Sequence, residues 1–169
     1  MKISKEEKMS LENERNWRDL DEKYTNFVVA RNAYFELRES IKKNLDVVES
    51  LKSDASGLQR GLALEKALDL SDDEKKSLFS ELIALASFGH GHTDLCKKLI
   101  YSMPRDWVLQ NIEKIVEPVL VSGGYEEYSA VIGLYSELSA DLAKGIALRA
   151  SQNLDPDIKE IGDDYLHDQ

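Results

Sequence analysis

Neither proline nor glycine occurs before Gly57. So long a stretch without the two residues that interrupt helices favours long helices over strands and turns. The apolar residues agree. Trp17, Leu20, Tyr24 and Phe27 step by three and four, as coiled-coil core positions do. The next core position holds Arg31. Around it, Val28, Val29, Ala30, Ala33, Tyr34, Phe35 and Leu37 widen the apolar face beyond a two-stranded seam. Ile41, Leu45, Val48 and Leu51 continue a narrower stripe. The pattern predicts one helix from Leu11 to Leu51, or two with a break near Asn44, after a frayed, charged lead-in over residues 1–9. A helix with so broad an apolar face needs more than one neighbour. The rest of the chain or a second copy would supply it, so a homodimer through this helix is one expected arrangement.

Ser53-Asp54-Ala55-Ser56-Gly57 is the first breaker cluster, and we place the boundary of an N-terminal segment 1–56 there, with 57–169 as a second region packed with it. A short helix follows, with Leu58, Leu62, Glu65 and Leu68 in register. Ser71 and Glu74 have capping-box spacing and open a helix carrying Leu78, Phe79, Leu82, Ile83, Leu85 and Ala86. Further helices open near Pro104 and Ser139, so the starts recur at about 33 to 35 residues. Each is broken partway: at Gly89-His90-Gly91, at Gly123-Gly124, and at Asn153-Leu154-Asp155-Pro156. Gly123-Gly124 is expected to supply the positive φ of a helix end. Second arms follow, led by Leu95 and Leu99, then Tyr128 and Ile132, then Ile158 and Ile161. Pro104 and Pro156 suit first turns, whereas Pro118 falls inside an apolar pattern and is expected to kink or shorten its arm. Gly61, Gly133, Gly145 and Gly162 lie within helical patterns, where close helix approach is one reason to carry them. The fold class is therefore all-α: a long N-terminal helix, then a short stack of antiparallel helical hairpins.

Charge narrows the partners. Formal net charge is −10. Residues 1–56 hold 11 basic and 12 acidic side chains, and residues 57–169 hold 11 and 20. That balance argues against nucleic-acid or anionic-membrane binding, which needs clustered Lys and Arg. It suits a partner with a basic surface. No apolar run reaches the about 18 residues of a membrane span, and the first residues lack a signal peptide's apolar core. One cysteine allows no internal disulfide, so the cytoplasm is the expected compartment.

Candidate chemistry is sparse. His90, His92, Asp94 and Cys96 cluster in GHGHTDLC, and His92 and Cys96 stand four apart as on one helix face. A closed zinc site wants four ligands, and no second pair has suitable spacing, so no metal and no cofactor is expected. Cys96 with His92 as base would make a nucleophile, but Leu95, Leu99 and Ile100 beside it favour a packed thiol. The acids of DPDIKEIGDD fail the calcium-loop pattern, since Lys159 and Glu160 stand at its fifth and sixth positions. Tyr125, Tyr128 and Tyr135 have the spacing of core or core-edge residues. Trp107 lies off the Val108, Ile112, Ile115 face and beside Gln110, Asn111 and Lys114. It is either a binding anchor, with Asn111 and Lys114 as fellow contacts, or a residue tucked under the preceding hairpin.

From about Ser71 to Leu166 the chain resembles α-solenoid repeats of the HEAT-like and tetratricopeptide-like classes. Asp155-Pro156-Asp157-Ile158-Lys159-Glu160 is similar to the opening of a HEAT repeat, and Gly124-Tyr125-Glu126-Glu127-Tyr128 to the second-helix opening of a tetratricopeptide repeat. The resemblance implies a scaffold for protein partners without chemistry of its own. The expected function is a non-catalytic protein–protein interaction module, an adaptor, scaffold or regulatory subunit. The alternative is a small acidic inhibitor, an immunity-type protein or nucleic-acid mimic, that blocks a basic protein.

Overall fold

The computed structural model describes residues 5–52, 55–87 and 91–168. Helix dominates them, and no strand occurs among them. The chain divides into two compact units, Met1–Asn44 and Leu45–Gln169.

The first unit is one helix, α1 (Lys5–Asn44). It begins earlier than the expected Leu11, so residues 5–9 are helical and not a frayed lead-in. It ends where Asn44 turns its amide back onto the Ser40 carbonyl (3.1 Å). Lys42 and Lys43 fill the last turn, where cations meet the negative helix end. The unit boundary at Asn44 thus falls ahead of the expected boundary at Ser56. The reason is local: Asp46 caps a new turn through Glu49 N–H (3.1 Å), and Val47, Ser50 and Leu51 are buried in the second unit's core.

The second unit holds α2 (Val47–Ser50), α3 (Gly57–Ala67), α4 (Asp72–Ser77), α5 (Phe79–Ala86), α6 (Thr93–Tyr101), α7 (Arg105–Ser122), α8 (Tyr125–Leu138), α9 (Ala140–Ser151) and α10 (Pro156–His167). Side-chain caps set several starts. Ser71 accepts from Glu74 N–H while its own N–H donates to the Glu74 carboxylate (2.9 Å), which closes the capping box before α4. Hydrogen bonding to Ser71 also holds the Glu74 carboxyl below its usual range. Asp155 caps α10 with Pro156 in its first turn. The helix expected after Ser71 is broken once, at Leu78, into α4 and α5. Leu78 remains buried, so the break turns the chain without losing the apolar face. In α3 the buried residues are Leu62, Ala63, Leu64 and Ala67, while Leu58 is exposed, so the expected register is rotated.

One continuous core joins these helices. α3 packs on α6, α5 on α6 and α7, and α7 on α8. α9 lies against both α8 and α10. Ile112 and Ile132 are both buried, as the hairpin register requires. Yet α8 packs more extensively on α9 than on α7. Its link to α9 is the single residue Ser139, which ends one helix and caps the next through Leu142 N–H.

The glycine and proline expectations meet different outcomes. No described glycine has a positive φ; Gly123 sits at φ −86° and ψ 162°. Glycine is needed there for space, since a Cβ would lie 2.5 Å from the Val119 carbonyl oxygen and 2.7 Å from Glu127 Cβ. The Glu127 carboxylate then accepts from Gly124 N–H (2.8 Å) and starts α8. Pro118 does not shorten its arm, because α7 runs on to Ser122. Among the helical glycines, Gly162 meets the backbone of α9 directly: a Cβ would collide with Ser151 N and lie 2.5 Å from the Ala147 carbonyl oxygen. Gly145 faces nothing within 4 Å, so close approach does not explain it.

Candidate functional site

The turn before α6 and the first turns of α6 itself hold the residues weighed for metal or nucleophilic chemistry. His90 lies outside the described residues. His92 Nε2 stands 2.8 Å from the Gly57 carbonyl oxygen, to which it donates. A side chain at Gly61 would come within 3.1 Å of the same ring. Gly61 thus leaves room on α3 for an imidazole that fastens the start of α6 to it. Cys96 is buried and free, and burial pushes its thiol up to about 12 from 9.0. A thiol held neutral is a poor nucleophile. Asp94 is exposed. Among the described residues no three His, Cys, Asp or Glu side chains converge as a metal site needs.

Trp107, Asn111 and Lys114 do share one face of α7, as steps of four and three dictate. Their surroundings differ. The Trp107 ring meets Phe79 of α5 edge to face, with centroids 5.1 Å apart, and Lys76 Nζ lies 5.7 Å from its centre. It is packed against the core, which is the second of the two readings of this residue. The Asn111 amide donates to the Trp107 carbonyl one turn back (2.7 Å). Lys114 is exposed.

A shallow depression of about 490 Å³ lies between α6 and the end of α8, lined by Asp94, Lys97, Lys98, Tyr101, Ser102 and Glu137. Lys97 pairs with Glu137 (3.6 Å), and Tyr101 Oη donates to the Leu134 carbonyl (3.3 Å). Burial and then the Glu137 charge push the Tyr101 hydroxyl upward, so it stays a neutral donor. No spacing in the sequence reveals this group, because α6 and α8 are brought together only by packing.

Many of the exposed large apolar side chains are on α1. Trp17 (71% exposed), Leu20, Tyr24 (64%), Phe27 (59%), Tyr34 and Ile41 are all exposed at seam spacing. Tyr34 and Phe35 meet edge to face at 5.4 Å. Set against known protein families, curated proteins and solved structures, the chain matches none. No described helix is long and apolar enough to cross a membrane. The arrangement offers contact surface: a long apolar helix face and a charged, helical second unit.

Proposed function

We propose that the chain is a non-catalytic protein–protein interaction module, an adaptor, scaffold or regulatory subunit acting in the cytoplasm. The observation that carries this is the exposed apolar face of α1. Contiguous apolar surface on that scale marks a protein or membrane contact on a soluble protein. Near-balanced charge favours the protein: residues 1–44 have 10 basic and 9 acidic side chains. The second unit supplies a scaffold of repeated form. His92–Gly57, Tyr101–Leu134, Arg105–Leu138 and Arg149–Glu117 are tied by hydrogen bonds at separations of 35, 33, 33 and 32 residues. Neighbours one period apart are what stacked helical repeats produce, which supports a short α-solenoid.

The test combines binding with thiol chemistry. Immobilised chain should retain a host protein that Phe27→Glu loses and Cys96→Ala keeps. Folded Cys96 should resist iodoacetamide at pH 9 and react once denatured. Binding that depends on Cys96 and ignores Phe27 would reverse the assignment.

The acidic-inhibitor reading has its own support. Residues 45–169 hold 23 acidic and 12 basic side chains, and Lys76, Lys97 and Arg149 are each paired with an acid. A basic partner held this way should dissociate as salt rises, whereas one held by the apolar face of α1 should not.

A further inference from the structure

We propose that the depression between α6 and the end of α8 docks an acidic segment of a partner protein, whose carboxylates meet Lys97, Lys98 and Arg105. The proposal rests on the chain being an interaction module and names a second contact, independent of α1.

Lys97 is the first observation. Its side chain is 20% exposed, and its ammonium lies against α8, 3.7 Å from where a Cβ on Gly133 would stand. Glu137 Oε1 is 3.6 Å away, close enough for an ion pair but too far for a hydrogen bond. An ammonium has three N–H donors, and those of Lys97 find no acceptor among the described residues. Largely covered donors without acceptors are costly, and a carboxylate arriving in the depression supplies the acceptors.

Lys98 lines the same depression one residue on. It is exposed, and no acid pairs with it among the described residues. Asp94, Lys97, Lys98 and Tyr101 recur at steps of three and four along α6, so one helix face carries all of them. A second hollow of about 260 Å³ adjoins the first, since Tyr101 and Glu137 line both. Arg105 borders it and gives an N–H to the Leu138 carbonyl (2.6 Å). A guanidinium has five N–H donors, so its charge and the remaining donors stay open to an anion.

Charge selects the occupant. The two hollows hold three of the second unit's 12 basic side chains and two of its 23 acidic ones. A base-rich strip on an otherwise acidic unit favours a short run of carboxylates over a basic segment. The same acidity excludes a nucleic acid, whose long run of phosphates would meet the surrounding acids. Asp94 and Glu137 restrict where incoming carboxylates can sit, which adds selectivity. Shallow hollows also suit the side chains of a peptide better than a small molecule, which needs most of its surface enclosed. From Asp94 to Tyr101 α6 rises about 11 Å, the reach of about three to four extended residues.

Fluorescence anisotropy on the full chain is the test. The probe is a labelled hexapeptide of alternating glutamate and leucine, and its lysine–leucine counterpart is the control. The acidic peptide should bind, more weakly as salt rises, and the basic one should not. Lys98→Glu should weaken binding by at least about tenfold with an unchanged helical signal, because Lys98 is exposed. Lys144→Glu, at an exposed lysine outside both hollows, should leave binding unchanged. Equal binding of the two peptides, equal effects of the two lysine variants, or no binding at millimolar acidic peptide would each overturn the site. If Phe27→Glu still loses the host protein while the acidic peptide fails to bind, the interaction reading stands and this site falls.

Discussion

Trp17 and Trp107 are the chain's two tryptophans, one in each unit. Both stand at helical spacing from apolar neighbours. Trp107 rests its ring on Phe79 and beneath Lys76, at the edge of a continuous core. Trp17 is 71% exposed, as are most large apolar side chains along α1 in lesser measure. The second unit instead encloses Phe79, Tyr128 and Tyr135. Periodicity states that a helix has an apolar face; it does not state what covers it. In the second unit neighbouring helices of the same unit cover it. On α1 the face is available to another molecule. Stability should therefore respond to substitution in the second unit and association to substitution in the first.

The sharpest contrast is at Ile112. It is fully buried between elements of the second unit, so Ile112→Ala should cost about 2–5 kcal/mol in chemical denaturation, through lost transfer energy and a cavity. Ile132→Ala should behave alike. Values near zero would mean that these faces are as uncovered as that of α1. Gly162→Ala comes next. Its new Cβ would strike the α9 backbone, and the overpacking should cost about 1–3 kcal/mol. Gly145→Ala is the control: with nothing within 4 Å of the added methyl, it should be neutral or stabilise by up to about 1 kcal/mol. Equal effects at the two glycines would remove the close α9–α10 approach.

Much of this fold was legible because its signals are local. Ser71 with Glu74 and Asp155 with Pro156 each act within a few residues and are found where the sequence puts them, and the break after Asn44 is one of the two arrangements it left open. What was not legible depends on how side chains and backbone crowd in three dimensions, near in the chain or far. Gly123 is required by Val119 and Glu127 crowding around it, not by a positive φ. The break at Leu78 has no glycine or proline to announce it. The rotated register of α3 follows from which side α6 covers. The candidate site divides the same way. Trp107, Asn111 and Lys114 were placed on one face by spacing alone, but only packing reveals that Trp107 is shielded by a residue 28 positions earlier, Phe79.

Trp107→Ala tests that shielding. A half-buried indole that loses an edge-to-face partner should cost about 1–2 kcal/mol, less than the about 3–5 of a fully enclosed one. Lys114→Ala, on the same face but exposed, should stay within about 0.5 kcal/mol. Should Trp107→Ala be equally silent, the residue would regain its standing as a free contact.

The smallest effect is expected at Trp17. Trp17→Ala removes a side chain that the single chain leaves open, so its cost at high dilution should be below about 0.5 kcal/mol. Fluorescence makes the comparison more exact. In Trp107→Phe the sole indole is Trp17, and acrylamide should quench it readily in dilute protein. In Trp17→Phe the sole indole is Trp107, shielded by Phe79, and quenching should be weaker. Raising the concentration then separates the two units. If α1 pairs with itself, Trp17 becomes shielded as the dimer forms, and stability of the wild type rises with it by mass action. Trp107 lies outside the seam and should keep one quenching constant throughout. A Trp17 signal that is shielded even at high dilution would show that its face is already covered within one chain, and the contrast between the units would collapse.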